Sequence, residues 1–506
     1  MSRTTNSLRN AGAAMAGQML NNVLRFICRT AFIYTLGEEY LGISSLYSNV
    51  LTILSISELG LSTAITYSLY DPIARDDREA IRSLMAFYKK AYRMVGLAVL
   101  VLGLALMPFL PKLMTGVTDK VNIYEYYLLY LAQSVISYLF FAYKSALLIA
   151  DQKKYLADFV SYGCQWAVAV AQILSLVFLR SFFVYTVLAI GGSAVQNVMT
   201  AVLVDKKYPW LKGEAEPLPE EARKGVFSRV YALFLQKVST AVGNATDNLI
   251  ISTFVSVAAV GLYDNYHMIV KIVQNVLSGV FRAMTASLGN LFATQERQRS
   301  EFVFRSLSLL NGWLVATCSV CFLTLFQPFV RMWAGEKYLL DFSVVAVIVL
   351  NFATNYMQNV VLIFREASGL FVRGKYRSVA NAVMNLVVSL ILVRYMGITG
   401  VFLGSVISRL ATNWWYDAWI LFQYGFHKKP TWYYVNCLTT ILLIALCFFG
   451  VELICGGLPG SGWGDLILRG IASVGLTGAV YLLLYGRTAE FAYLKDRVRA
   501  VVVKKR

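Results

Sequence analysis

Several charged side chains lie within long apolar stretches of this sequence, where a charge is costly to bury. Arg25 and Arg29 are four residues apart, which places them on one face of a helix. Lys271 and Arg282 lie in a later apolar stretch. Arginine suits phosphate because its planar guanidinium can bond two oxygens at once. These four cations predict a cationic cavity that binds an anionic, phosphate-bearing group.

Carboxylates in the apolar stretches have two alternative roles. Glu58 and Asp247 are candidates for coupling transport to an ion gradient. Glu58 also offers Arg25 an internal ion pair, which would hold helices together and take no part in binding cargo. The sequence leaves both roles open.

A third group of buried charges is a set of candidates for structural contacts or for lining the cavity. Its members are Lys144, Lys237, Arg365, Arg409 and Asp417. Lys144 and Arg365 lie near the ends of their apolar stretches, where a long side chain can reach the interface. Arg409 and Asp417 share one helical face with Asn413, and this pattern favours contacts between helices over contacts with cargo.

The composition predicts the elements that must position these charges. The chain has 506 residues, of which 58% are hydrophobic and 15% are charged, whereas soluble proteins carry about a quarter charged residues. Its mean hydropathy is +0.59. Apolar runs of about 20 residues recur throughout, as an all-α polytopic membrane protein requires. Residues 1–12 are polar and lead directly into a long helix, so we expect no cleavable signal peptide.

About fourteen stretches are long enough to cross a bilayer as helices. They lie at approximately residues 11–36, 41–69, 84–110, 121–150, 157–179, 182–204, 229–254, 258–291, 302–332, 338–366, 376–396, 399–424, 432–456 and 465–486. Alternate connections are rich in Lys and Arg, while the others carry few basic residues. The positive-inside rule therefore places both termini in the cytoplasm, as an even number of spans also requires.

The sequence resembles itself when it is shifted by 219 positions. The residues that then coincide include Gly42 with Gly261, Tyr47 with Tyr266 and, at the nearby offset of 221, Lys144 with Arg365. Matching stretches are six spans apart and cross in the same direction. This pattern predicts two parallel six-helix repeats with a site between them, which is a common plan for a transporter.

The repeat and the charge pattern together predict the domain organisation. The predicted parts are a six-helix lobe at 1–204, a cytoplasmic linker at 205–228, a second six-helix lobe at 229–426, two additional transmembrane helices at 427–486 and a basic cytoplasmic tail at 487–506. The linker contains three prolines and an acidic cluster. The tail is expected to lie along the anionic inner surface of the membrane.

Other function classes find little support in the residues. The net charge of +18 is distributed between apolar spans and not on one soluble face, so nucleic acid is not an expected partner. Cys318 and Cys321 have metal-ligand spacing but only apolar neighbours and no second pair, which indicates core packing. His267 and His427 are far apart in the sequence. No metal and no cofactor are predicted.

Ordered motifs give the chain a family resemblance. The motifs are RTAFIYTLG at 29–37, YLGISSLY at 40–47, SELGLS at 57–62 and FREASGLF at 364–371. Together they resemble the bacterial polysaccharide exporters known as Wzx-type flippases, and the likeness extends from about residue 4 to residue 429.

The resemblance implies the fold of the multidrug/oligosaccharidyl-lipid/polysaccharide (MOP) exporters, which has two MATE-like six-helix lobes in a V and additional C-terminal helices. It also implies alternating access in the bacterial cytoplasmic membrane, with a polyprenyl-pyrophosphate-linked oligosaccharide as cargo. Membrane lipids, a polysaccharide polymerase and glycosyltransferases are then the expected partners. Lipid II flippases of the same superfamily are thought to use cavity arginines, and Arg25, Arg29 and Arg282 lie in comparable spans.

Four alternatives remain at this point. A lipid II-type peptidoglycan precursor flippase would share the cationic cavity. A cation-coupled drug exporter of the same fold would favour carboxylates in the cavity, where this chain has mostly Arg and Lys. A membrane enzyme would need reactive groups in large outer loops, and the outer loops here are short. A scaffold without transport would tolerate loss of the buried charges.

Overall fold

The computed structural model describes most of the chain. The described residues are 3–54, 61–114, 122–139, 141–151, 153–213, 215–220, 223, 246–282, 297–368, 370, 377–457 and 462–503. They are mainly helical and contain no strand. They form two compact units, Met1–Gly261 and Leu262–Arg506.

The first unit consists of helices that are numbered here in chain order. They are α1 (Arg3–Thr35), α2 (Glu38–Leu54), α3 (Leu61–Ala74), α4 (Arg78–Leu106), α5 (Leu110–Leu113), α6 (Ile123–Leu139), α7 (Ser145–Ala150), α8 (Lys154–Phe178) and α9 (Phe182–Lys207). Residues 246–254 are also helical. The unit ends within α10 (Val257–Arg282), because its boundary falls after Gly261.

The second unit continues α10 and contains the remaining helices. They are α11 (Arg297–Trp333), α12 (Phe342–Met357), α13 (Asn359–Ala367), α14 (Arg377–Arg409), α15 (Trp415–Ile420), α16 (Thr431–Cys455), α17 (Trp463–Tyr485) and α18 (Ala489–Val503). Two π-helical segments, Leu410–Trp414 and Leu421–Phe426, flank α15. Of the predicted linker, residues 205–213, 215–220 and 223 are described, and they include a short 3-10 helix at Pro209–Lys212.

Apolar side chains cover the outside of the helices, as a hydrocarbon surrounding requires. Leu453, Leu483 and Tyr395 are 88%, 84% and 82% exposed. Among the described residues, eight helical stretches are long and apolar enough to cross a membrane. One of them, Arg377–Phe426, covers two predicted spans. The chain is therefore a multi-pass, all-α membrane protein, as predicted.

Helices in the other predicted spans are described in part, interrupted or charged. The second predicted span contains α2 and α3, and residues 55–60 between them lie outside the described residues. The fourth is divided between α6 and α7. Helices α1 and α10 are continuous but contain the charges that were predicted to line a cavity. Most of the seventh predicted span lies outside the described residues. The charged residues of α1 and α10 lower the mean hydropathy of these helices.

Repeat-related tyrosines make comparable contacts, each within its own unit. Tyr47 is fully buried and donates a hydrogen bond to the carbonyl of Ile123, at 2.6 Å. Tyr266 is equally buried and accepts a hydrogen bond from the backbone N–H of Leu340, at 3.2 Å. In both cases the second span of a repeat is attached to the start of the fourth. These two repeat-related positions therefore make corresponding contacts between the predicted second and fourth spans.

Helix α14 contains a reversal that converts it into a hairpin. Gly397 has φ +55° and ψ −133°, a backbone conformation that side chains disfavour. The two arms approach closely, because a Cβ at Gly404 would lie 2.8 Å from the backbone nitrogen of Ser389. Asn385 also donates a hydrogen bond to the hydroxyl of Ser405, at 2.6 Å. Two adjacent predicted spans are thus joined by a single tight turn.

Helix α2 and the first turn of α10 touch backbone to backbone inside the first unit. A Cβ at Gly42 would overlap the backbone carbonyl of Val257. A Cβ at Gly261 would lie 2.6 Å from the carbonyl oxygen of Glu38 and 2.9 Å from the nitrogen of Gly42. The contact is reciprocal, because Gly42 and Glu38 are the repeat equivalents of Gly261 and Val257. Only glycine permits so close an approach.

We expect Gly42→Ala to destabilise the protein, because the added methyl group would overlap the Val257 carbonyl and force α2 away from α10. Overpacking of this kind costs about 1–3 kcal/mol. Thermal unfolding of the purified protein in detergent measures the effect. Gly191→Ala is the matched control, since no heavy atom lies within 4 Å of a Cβ there. Equal melting temperatures for the two variants would contradict the expectation.

Candidate functional site

Arg29 lies on α1, half-buried, and contacts the first turn of α10. Its guanidinium donates a hydrogen bond to the carbonyl of Gly261, at 3.3 Å. It also lies close enough to Tyr130 and Tyr185 to interact electrostatically with both. The hydroxyl of Tyr130 shares a 2.6 Å hydrogen bond with Ser44 of α2. Arg29 is thus positioned by its bond to α10 and lies within electrostatic reach of two tyrosines, as a specific binding group would be.

Aromatic rings pack beside this arginine in the first unit. Phe182, at the start of α9, lies 5.7 Å from the ring of Phe32 and 6.2 Å from that of Tyr185, measured between ring centroids. Tyr40 and Tyr126 lie 5.1 and 4.7 Å from Phe182 and are only half-buried. Tyrosine presents an apolar face and a hydroxyl, so this cluster can pack against an apolar surface and hydrogen-bond a polar group.

The other predicted cargo-binding cations have different surroundings. Arg25 is exposed on α1, one turn before Arg29, and Lys271 is exposed on α10 in the second unit. Arg282 is the last residue of α10, and its side chain lies outside the described part of the chain. Their participation in a cavity stays a prediction.

The predicted carboxylates and Lys237 are described only in part. Asp247 is half-buried in the helical residues 246–254 and takes part in a polar or electrostatic interaction. Glu58 and Lys237 lie outside the described residues. Their role in ion coupling or cavity lining stays a prediction.

Lys144 forms an ion pair within the first unit. Its ammonium nitrogen lies 2.5 Å from a carboxylate oxygen of Asp205, near the end of α9, and the two side chains are 13% and 32% exposed. Tyr208, which follows α9, also donates a hydrogen bond to Asp151, which follows α7. These two contacts hold the ends of the fourth and sixth predicted spans together.

Arg365, the repeat equivalent of Lys144, forms the corresponding ion pair in the second unit. It bonds to Asp417 of α15, and the two side chains are 4% and 1% exposed. Arg377, at the start of α14, bonds to the other carboxylate oxygen. The lysine–aspartate ion pair of one repeat thus corresponds to a more deeply buried arginine–aspartate–arginine cluster in the other. Both clusters connect the fourth and sixth spans of their repeat.

Arg409 connects two helices of the second unit. Its guanidinium donates hydrogen bonds to the side chain of Asn351, at 2.6 Å, and to the hydroxyl of Thr354, at 3.1 Å. Both acceptors belong to α12. Arg409 and Asp417 were predicted on one helical face, but they contact different partners, because the π-helical segment Leu410–Trp414 lies between them.

Three ionic partners were not recognised from the sequence. Asp205 and Arg377 were assigned to the linker and to a basic connection, and proximity to Lys144 and Asp417 was not expected. The third is Arg469 of α17, which lies 3.2 Å from Asp465 and 3.1 Å from Glu452 of α16. The four-residue spacing of Asp465 and Arg469 within an apolar stretch is a pattern that would have indicated this pair.

The architecture is the fold seen in solved structures of MOP superfamily transporters. The lipid II flippase MurJ in an inward closed conformation is 14% identical, with a TM-score of 0.68 over 94% of this chain and 99% of that chain. An inward-facing MATE family multidrug resistance transporter of the MOP superfamily is 15% identical, with a TM-score of 0.62 over 85% of this chain and 98% of that one. At these identities the likeness concerns the fold.

The chain belongs to the polysaccharide biosynthesis protein family, and residues 7–285 carry the match to that family. A MOP superfamily transporter from Pyrococcus furiosus also shares the fold, with 13% identity and a TM-score of 0.54 over 88% of this chain and 96% of that chain. No curated protein matches the sequence. Together the family and the fold confirm the resemblance to Wzx-type flippases of the MOP superfamily. These structural relatives are themselves transporters and a flippase.

Replacing Asp417 by alanine should lower stability strongly, because Arg365 and Arg377 would lose the carboxylate they share inside the protein. Breaking a buried ion pair costs about 3–5 kcal/mol. Asp71→Ala is the control, since Asp71 pairs with Arg75 on an exposed surface where such pairs contribute little. The melting temperatures of both variants in detergent give the comparison. An Asp417 variant as stable as the Asp71 variant would exclude a structural role for the cluster.

Proposed function

We propose that this protein moves a polyprenyl-pyrophosphate-linked oligosaccharide from the cytoplasmic to the outer face of the bacterial cytoplasmic membrane by alternating access. Membership of the polysaccharide biosynthesis family supports a saccharide cargo. The MOP transporter fold supports transport between the two faces of a membrane. A polymerase and glycosyltransferases would be its partners in the pathway.

The observation that carries the proposal is the setting of Arg29. A half-buried guanidinium at this place, among tyrosines, suits a group that carries both phosphate and sugar. Moving such a charged head group through hydrocarbon without assistance is prohibitive, so a charge-matched path lowers the barrier. Arg25, Lys271 and Arg282 complete the proposed cationic cavity, and the prenyl chain stays in lipid. Glu58 and Asp247 are its candidate ion-coupling carboxylates.

A lipid II-type precursor flippase is the second candidate, because the fold of the lipid II flippase MurJ covers 94% of this chain. Both candidates translocate a polyprenyl pyrophosphate, and they differ in the attached saccharide. Deleting the gene distinguishes them. Accumulation of a lipid-linked oligosaccharide in the inner leaflet supports the first candidate, and accumulation of lipid II supports the second. Normal surface glycans with neither intermediate accumulated, in a strain without a redundant flippase, would contradict both.

Arg29→Ala, expressed in the deletion strain, should lower the amount of surface polysaccharide by roughly ten-fold or more, since a charge-assisted bond to the cargo is lost. Arg29→Lys should restore part of the activity, because lysine keeps the positive charge but cannot bond two phosphate oxygens in the bidentate geometry of a guanidinium. Surface polysaccharide and inner-leaflet intermediate are measured together, at matched protein levels.

Arg394→Ala serves as the control for the Arg29 variants, because Arg394 is an exposed arginine near the end of a predicted span. It should retain full activity. Wild-type levels of surface polysaccharide in Arg29→Ala cells would contradict the proposed role and favour a scaffold.

The proposed orientation can be tested by labelling single cysteines in a variant without the seven native cysteines. Lys207 and Lys337 are exposed residues in connections predicted to face opposite sides. A membrane-impermeant maleimide should label Lys337→Cys in intact cells and label Lys207→Cys only after the membrane is opened. The reverse pattern would place both termini outside the cytoplasm.

A further inference from the structure

A cavity of about 390 Å³ lies between α11, α17 and α18 in the second unit. Leu309 and Trp313 line it from α11, Gly478 and Leu482 from α17, and Leu494 from α18. Leu482 is 56% exposed and Trp313 is 37% exposed, so the cavity communicates with the outside of the helices. An apolar space of this kind is not filled by water, because water would find no partners for its hydrogen bonds there.

Helix α18 is held against α11 by an aromatic contact. The ring of Tyr493 meets the ring of Phe302 edge to face, with centroids 5.5 Å apart, and the guanidinium of Arg299 lies 5.9 Å from the centroid of Tyr493. Helix α18 follows α17 after a short turn at residues 486–488. The cavity therefore lies where two membrane-spanning helices meet an attached terminal helix, near the predicted cytoplasmic interface.

One cation lines this otherwise apolar cavity. Lys495 is an exposed residue of α18 and a member of the cavity wall. The neighbouring Asp496 does not line the cavity, because successive residues of a helix point about 100° apart. Apolar walls with a lysine at the interface match an acyl chain with a negatively charged head group.

We propose that this cavity binds an anionic glycerophospholipid of the inner leaflet, with an acyl chain between α11 and α17 and its phosphate beside Lys495. The lipid would fill space that the protein leaves empty and would attach α18 to the bundle. Unlike the cargo, it would remain bound and would not be translocated. The inference is independent of the proposed transport function, because it rests on the cavity and Lys495 alone.

Trp313 provides a direct probe of the site, because it lines the cavity. The full-length protein is placed in phosphatidylethanolamine nanodiscs to which a brominated lipid is added. In one series this lipid is phosphatidylglycerol and in the other it is phosphatidylethanolamine. Brominated acyl chains quench tryptophan fluorescence on contact. The difference between wild type and Trp313→Phe isolates the Trp313 signal. Brominated phosphatidylglycerol should quench this signal at a mole fraction about five-fold lower, since one lysine near the surface contributes about 1 kcal/mol.

Two glycines of α17 give a matched pair of variants. A Cβ at Gly478 or at Gly475 meets no heavy atom within 4 Å, and only Gly478 lines the cavity. Gly478→Phe should fill the cavity and remove the selective quenching of Trp313, while Gly475→Phe should leave it unchanged. Lys495→Glu should abolish the five-fold preference, and Lys429→Glu, at another exposed lysine, should preserve it.

Native mass spectrometry of the purified protein identifies the occupant. Retained phosphatidylglycerol that is lost in Gly478→Phe but kept in Gly475→Phe supports the proposal. Equal quenching of Trp313 by both head groups would overturn it, as would insensitivity to Lys495→Glu. Retention of a polyprenyl phosphate in place of a phospholipid would also overturn it and would assign the cavity to the cargo. If Gly478→Phe does not fold, the quenching of Trp313 and its sensitivity to Lys495→Glu still test the proposal.

Discussion

The described structure depends on one constraint, which is that hydrocarbon cannot solvate a charge. Several carboxylates in the described helices are accordingly held by cations. Asp205 meets Lys144, Asp417 meets two arginines, and Glu301 meets Arg305 and Lys428 at 2.7 and 2.6 Å. Each of these contacts joins separate helices or helix ends, except the local pair of Glu301 with Arg305. Polar groups that would be costly alone therefore fix which helices are neighbours.

Close backbone contacts follow from the same surroundings. Lipid competes with helices for apolar side chains, so tight helix packing depends on small residues that bring backbones together. Gly42 and Gly261 do this between α2 and α10, and Gly404 does it within the hairpin of α14. The Arg29 hydrogen bond to the carbonyl of Gly261 lies at the first of these contacts. This close backbone contact and the candidate cargo residue Arg29 therefore occupy one place in the first unit.

The candidate site was predictable in part. Arg29 was identified because a charge in an apolar stretch is conspicuous in a sequence. Lys144 and Arg365 were identified as equivalent positions of the repeat. Their partners were not identified, because Asp205 and Asp417 are 61 and 52 residues away and nothing local connects them. The cavity beside Lys495 was also invisible, since its walls come from three helices whose separate sequences resemble any other lipid-facing surface.

The sequence by itself determined that the chain is a membrane protein, roughly where it crosses, and that it is built from a repeat. These properties depend on hydropathy, loop charge and self-similarity, which are local or linear in the chain. Only the tertiary structure decided that Arg365 and Asp417 neutralise each other and that Gly42 touches the backbone of α10. These features depend on distances between residues far apart in the sequence, and such distances are set by packing.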